Sequence, residues 1–177
     1  MKRLWLALTD ARIRAALSAL DRCGPALGDL MGHPELGSEF FPPLRRTLVR
    51  AGAKGGKRPA AYRALHASED FVIRLEKAFA DMALLDARPD AAAQALVFLQ
   101  QACAIAPRLL SSGSGPAALA NVLGLCASGR KVLAQAKAAA DRDSGEFTQN
   151  LKFSSIYSGL DAAFDSFERC AEALSRI

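Results

Sequence analysis

The residues best suited to a chemical role lie in one basic segment, residues 45–63. The segment contains no acidic residue and seven cationic ones: Arg45, Arg46, Arg50, Lys54, Lys57, Arg58 and Arg63. Without these seven, the chain has 16 of its 23 lysines and arginines left against 18 acidic residues, so the segment alone makes the net charge of +5 positive. A localised excess of this kind predicts a contact surface for an anionic partner.

Glycines within the basic segment favour a phosphate ligand. Gly52, Gly55 and Gly56 would let backbone amides approach phosphate oxygens, while the cations neutralise their charge. Tyr62 and Arg63 follow and could add base stacking or another phosphate contact. Two other interpretations stay open: a solvated loop whose cations are free or pair with the acidic residues at 161–172, and a surface that docks another protein.

Parts of this segment are similar to two phosphate-binding motifs. A P-loop is excluded because Ala51 stands at its first glycine position and Arg58 at its hydroxyl position, with no apolar strand before it. The sequence Gly52-Ala53-Lys54-Gly55 matches the GxxG loop of KH domains, which clamps a nucleic-acid backbone. The strands of that fold are not predicted, so the match supports the chemistry of the loop and not the family.

Catalytic chemistry finds no support in the sequence. Helical ribonucleases of the HEPN type place an arginine four to six residues before a histidine, whereas His66 follows Arg58 by eight and Arg63 by three. His33 lies in a Gly-His-Pro turn, and neither histidine accompanies an obvious nucleophile. We therefore predict a protein that is not an enzyme, with no catalytic residue and no cofactor.

Metal binding is also not predicted. The four cysteines, Cys23, Cys103, Cys126 and Cys170, form no CxxC pair, which a structural zinc site normally needs. They are expected to be reduced core residues of a cytoplasmic protein. An acidic edge, made of Asp161, Asp165, Glu168 and Glu172, has no histidine in the C-terminal half to complete a di-iron site. It predicts a solvated face or a docking surface for a basic protein neighbour.

Membrane association is not expected either. The apolar run after Arg3 is shorter than the apolar region of a signal peptide. The uncharged stretch 109–129 is long enough to cross a bilayer, but glycines, serines, an asparagine and a proline interrupt it. These features predict a protein with no membrane partner.

Helices must position all of these residues, because the apolar residues of the chain recur with helical periodicity. The clearest amphipathic stripe predicts one helix over 146–176 and consists of Phe153, Ile156, Leu160, Ala163, Phe167, Cys170, Leu174 and Ile177. Similar stripes predict helices over 90–110, where Pro107 should disrupt the last turn, and over 69–87, with Ser68 as the N-cap.

Weaker patterns complete the predicted fold. They indicate a first helix over 10–22 that Gly24-Pro25 stops, and two further helices over 116–127 and 129–141. The result is an all-α, multi-helix bundle of about six to eight helices, forming a single domain over 1–177. A serine- and glycine-rich stretch at 111–115 could divide it into two lobes.

These observations favour a non-enzymatic helical protein that binds the backbone of RNA or single-stranded DNA. In size, helicity and basic patch the chain is similar to the small helical subunits of RNA-guided CRISPR complexes. The resemblance implies a small subunit of a larger ribonucleoprotein, in contact with other protein subunits. The alternative is a helical protein–protein interaction module, such as an adaptor, chaperone or immunity-type protein.

Overall fold

Six α-helices form the part of the chain that the computed structural model describes, residues 9–53, 58–111, 113–142 and 147–177. They are α1 (Ala11–Gly32), α2 (Gly37–Gly52), α3 (Pro59–Leu85), α4 (Asp90–Ile105), α5 (Gly115–Ala140) and α6 (Phe147–Ser175). Short 3-10 helices at Pro34–Leu36 and Ala106–Leu110 join two of the pairs, and these ranges contain no strand. The prediction of an all-α, multi-helix bundle is confirmed.

The centre of the fold is the antiparallel pair of α3 and α6. Near one end of the pair the Cys170 thiol donates to the Ala64 carbonyl over 3.5 Å, and further along the rings of Phe71 and Phe167 meet edge to face at 5.2 Å. The stripe predicted on α6 faces this interface: six of its residues are buried, and its two ends are partly buried. Burial of this stripe is what holds the longest helix in place.

The other helices surround this pair. α2 packs against α3, where the rings of Phe41 and Phe79 stack at 5.8 Å, and α1 packs against α2, α3 and α4. α5 lies against α4 and α6. All four cysteines are free and buried, which confirms their predicted core positions.

The predicted stop at Gly24-Pro25 is wrong, because α1 continues through both residues to Gly32. Leu27 and Leu30, beyond the proline, are buried in the core. Gly24 is buried as well and faces Cys103 so closely that an added Cβ would lie 3.0 Å from the cysteine Cβ. Burial of this second half of α1 outweighs the helix hydrogen bond that the proline cannot donate.

Two further boundaries differ from prediction. Ser68 is not an N-cap: it lies inside α3, fully buried, and its hydroxyl donates to the Leu65 carbonyl over 2.7 Å. The two helices predicted over 116–127 and 129–141 are a single helix, α5, in which Gly129 is buried against α6. In both cases the local sequence predicts a helix end, but the helix continues because the residues before and after that point pack against the core.

Two helical segments, Asp90–Leu110 and Gly115–Ala140, have the length and mean hydropathy of a membrane span. Both criteria are also met by core helices of proteins that do not enter a membrane. Here each segment packs along one side against neighbouring helices of the bundle.

Candidate nucleic-acid interface

Three arginines of the basic segment lie together in a groove between α2 and α3, which we call the arginine groove. It has a volume of about 380 Å³, at the lower end of the range of small-molecule sites. Its lining consists of Pro42, Arg45, Arg46, Val49, Arg50 and Glu76. The apolar face of α2, with Phe41, Leu44 and Leu48, is buried, so the three arginines project from its exposed side.

The arginine groove is only partly neutralised. Arg45 Nη1 donates to Glu76 Oε2 over 2.9 Å, which balances one of the three positive charges. Neither Arg46 nor Arg50 forms an ion pair with any residue that the structure describes, and both are exposed. The groove therefore presents two guanidinium groups that no described carboxylate neutralises, and such planar donors are suited to phosphate oxygens.

The connection between α2 and α3 contributes one further described cation. Arg58 precedes Pro59 at the start of α3, and its Nη1 lies 3.9 Å from Asp10 Oδ2. That carboxylate is already held by Arg12, whose Nη2 is 2.9 Å from Oδ2. Arg58 is thus only weakly paired, while Lys54 and Lys57 lie outside the described residues.

Arg63 lies apart from the arginine groove. It lines a second groove, of about 440 Å³, between the start of α3 and the end of α6, which we call the tyrosine groove. The lining consists of Ala60, Tyr62, Arg63, His66, Ala67, Asp70, Arg169, Glu172, Ala173 and Arg176. The described cations of the basic segment are therefore divided: three arginines line the arginine groove, Arg63 lines the tyrosine groove, and Arg58 lines neither.

The acidic edge is largely neutralised by arginines outside the basic segment. Arg130 of α5 bridges Asp161 at 2.9 Å and Glu168 at 3.3 Å. Asp165 pairs with Arg169 at 3.1 Å, and Glu172 with Arg176 at 3.6 Å. Among the described residues, no ion pair joins the acidic edge to the basic segment, so the two charged features remain separate surfaces.

Burial affects one carboxylate of the acidic edge in particular. The pKa of Glu168 is raised above its ordinary value, first because the side chain is partly desolvated and then because Asp165, Glu172 and Asp161 are nearby. Arg130 opposes this shift in the pKa. Arg130 thus holds Asp161 and Glu168 together against the mutual repulsion of the acidic edge.

The two histidines occupy exposed positions, and each lies near a glutamate. The His66 ring contacts the Tyr62 ring at a centroid distance of 4.1 Å, and His66 Nδ1 lies 3.6 Å from Glu69. His33 Nδ1 lies 3.3 Å from Glu35. In the described ranges, no group of three or more His, Cys, Asp or Glu residues is placed to hold a metal ion.

Sequence reasoning missed the residues that decide the charge of each surface. Glu76 is 31 residues from Arg45, and Arg130 is 31 residues from Asp161, so no local spacing signals either pair. The contact of Tyr62 with His66 could have been found, because residues four apart on a helix are neighbours.

The chain was also compared with known proteins. No protein-family model matches it, and no curated protein matches it either. The structural evidence on function therefore consists of the two grooves and their charges.

Proposed function

We propose that this protein binds the phosphate backbone of single-stranded nucleic acid, RNA or single-stranded DNA, and does so without catalysing a reaction. The observation that carries the proposal is the arginine groove, in which Arg46 and Arg50 are exposed and unpaired among the described residues. Their spacing of four places both guanidinium groups on one side of α2. Two adjacent phosphates of a strand are suitable ligands for such a pair.

The proposed contacts are to backbone and not to base edges. Guanidinium groups that bind phosphates fix the position of a strand but do not read its sequence. Arg58, at the start of α3, would extend the same electrostatic path. A small backbone-binding protein of this kind is suited to be a subunit of a larger ribonucleoprotein assembly, in which base pairing with a guide supplies sequence specificity.

Titration with single-stranded RNA and duplex DNA at several salt concentrations tests this function. If about four cations reach phosphates, the slope of log K against log salt should be roughly −3 to −4. The double variant Arg46→Ala/Arg50→Ala should weaken binding about equally for unrelated sequences, and should reduce the magnitude of the slope by roughly 1.5 units.

A matched variant controls for the loss of two charges. Arg22→Ala/Arg108→Ala removes two exposed arginines outside both grooves, so it should leave the salt slope nearly unchanged. Equal effects of the two double variants would contradict a specific role for the arginine groove. Absence of binding at low salt, for both the isolated protein and the assembly that copurifies with it, would contradict nucleic-acid binding itself.

A protein–protein interaction module remains the second candidate, and exposed apolar side chains favour it. Leu84, Phe147 and Leu151 are 83%, 76% and 63% exposed. All three lie at the same end of the α3–α6 pair, where Lys152 Nζ is 3.4 Å from the Leu85 carbonyl. If this end docks a partner subunit, Leu84→Ser/Phe147→Ser should release that subunit from the native assembly, whereas the arginine-groove variant should not.

A further inference from the structure

We infer that the tyrosine groove seats an unpaired base of the bound strand, stacked on the ring of Tyr62. The inference rests on the proposed function and adds to it a specific contact for a base. Backbone contacts alone do not distinguish a strand with bases from one without them, whereas a stacking contact does. Four features of the groove support the assignment: an open aromatic ring, a floor of small side chains, a mixed charge pattern and a position beside the arginine groove.

The aromatic ring is exposed but held in place. Tyr62 lies on the first turn of α3 and is 51% exposed. This exposure is high for a large aromatic side chain, which proteins usually bury in large part. His66, one turn further along α3, contacts it at 4.1 Å with an angle of 66° between the ring planes. The histidine restricts the tyrosine ring on one side, so a base that stacks on the open side meets a ring that is already ordered.

Small side chains form the floor of the groove. Ala67 on α3 and Ala173 on α6 are both buried, and Ala60 lines the groove at the start of α3. Since α3 and α6 are antiparallel, Ala67 and Ala173 lie at a similar level of the pair. The groove has a volume of about 440 Å³, within the range of sites that take small organic groups.

The charges around the groove are mixed, and this pattern fits a nucleotide better than a simple anion. Arg63 forms no ion pair with a described residue and can donate to a phosphate. Arg169 lies 3.9 Å from Asp70, and Arg176 lies 3.6 Å from Glu172. The two carboxylates would repel a phosphate but would accept hydrogen bonds from the N–H groups of bases, either an exocyclic amino group or the ring N–H of thymine.

The two grooves share one helix, α3, as a wall. A helix with its side chains is about 10 Å wide, and the stretch from Tyr62 to Glu76 extends about 21 Å along the axis of α3. Glu76 lines the arginine groove from α3, while Tyr62 and Arg63 line the tyrosine groove from the same helix. A strand that binds Arg46 and Arg50 would therefore cross the exposed side of α3 and follow the axis of that helix to reach Tyr62.

Oligonucleotides without bases test the inference directly. A thymidine 12-mer and an abasic 12-mer of equal length carry the same backbone charge, so a difference in their affinity reports contacts to bases. The native protein should bind the thymidine oligonucleotide at least about fivefold more tightly, since stacking on an aromatic side chain contributes about that much per base. Tyr62→Ala should remove this preference without changing the affinity for the abasic strand.

Two variants serve as controls. Tyr62→Phe keeps the aromatic ring and should keep the preference for the strand that has bases. Ile73→Ala removes an exposed apolar side chain of the same helix that does not line the groove, so it should change neither affinity. Because Tyr62 is exposed, thermal unfolding of all three variants should remain close to that of the native protein.

The outcomes separate the inference from the function on which it rests. Equal affinity of the native protein for the two oligonucleotides overturns base stacking but leaves backbone binding intact. A preference that persists in Tyr62→Ala overturns the assignment to this groove. Failure of the native protein to bind either strand, at low salt and within its assembly, overturns the proposed function and the inference with it.

Discussion

The ring of Phe164 lies directly over the α-carbon of Gly129. A Cβ atom added to this glycine would lie 2.8 Å from Phe164 Cε1 and closer still to Cζ. Gly129 is in the middle of α5, and Phe164 is fully buried on α6. The absence of a side chain at one position of α5 is therefore what lets the two helices approach each other around an aromatic ring.

Replacing that glycine should destabilise the fold. Gly129→Ala forces a buried ring from its position, and overpacking of this kind costs about 1–3 kcal/mol. Gly124→Ala is the matched control, because Gly124 lies in the same helix with no atom near its added Cβ. That variant should gain up to about 1 kcal/mol from higher helix propensity. Urea unfolding of both variants measures the difference, and destabilisation of both by the same amount would contradict the role of Phe164.

The Asp10–Arg12 pair should make the stability depend on acid pH. Asp10 caps α1, and its carboxylate accepts hydrogen bonds from the backbone N–H and the guanidinium of Arg12 at 2.9–3.0 Å. The two side chains are only 8% and 6% exposed. The hydrogen bond from the Arg12 side chain is the main cause that lowers the pKa of Asp10 below its ordinary value of 3.8.

A lowered pKa means that the stabilisation by Asp10 is complete above the pKa of the unfolded state and is lost as the pH falls through the folded-state pKa. Asp10→Asn should cost about 1.5–3 kcal/mol at neutral pH, and the difference from the native protein should shrink in acid. Asp21→Asn, at an exposed position of the same helix, should change stability by less than about 0.5 kcal/mol. A difference for Asp10→Asn that stays constant into strong acid would show that its charge is not involved.

The cysteines should be inert in the folded protein. Burial raises the pKa of Cys23, Cys126 and Cys170 to about 12 and also raises the pKa of Cys103. Since the thiolate is the reactive form, a disulfide reagent at mildly alkaline pH should label almost none of the four before unfolding and all four afterwards. Rapid labelling of the native protein, counted by mass spectrometry, would contradict the core positions.

Removing the proline inside α1 should stabilise the protein. Pro25 is exposed and lies within the helix, so the Asp21 carbonyl lacks the N–H donor that it would normally have there. Pro25→Ala restores that donor and should raise the free energy of unfolding by about 2 kcal/mol, because the helix gain of about 3 kcal/mol exceeds the entropy gained by the unfolded chain. Pro59→Ala is the control: Pro59 opens α3, where proline is favourable, so this variant should gain nothing. Equal gains for both would indicate an effect unrelated to the helix interior.

The sequence by itself determined the helical class and the inward face of the long helices. Leu160, Phe167 and Leu174 on α6 recur with the period of a helix, and all three are buried as predicted. Periodicity is informative here because a single helix face must be apolar along its whole length to cover a core. The cysteines could be placed in the core for the same reason, as Cys103 and Cys170 continue such stripes.

Only the tertiary structure decided where the helices end. Pro25, Ser68 and Gly129 each carry a local signal for a boundary, yet each lies inside a continuous helix. A boundary signal is a preference of about 1–3 kcal/mol at one residue, whereas the segment beyond it buries several apolar side chains. The sum of that burial becomes known only when the packing partners are known.

The charges of the two candidate grooves also depended on the tertiary structure. The sequence located the cationic excess at residues 45–63, but it could not indicate that Glu76 neutralises Arg45 or that Arg63 lies in a separate groove beside α6. An ion pair between helices requires a particular register of two antiparallel elements, and the composition of a segment contains no information about that register. Which cations stay free to bind a ligand is therefore a property of the packed bundle.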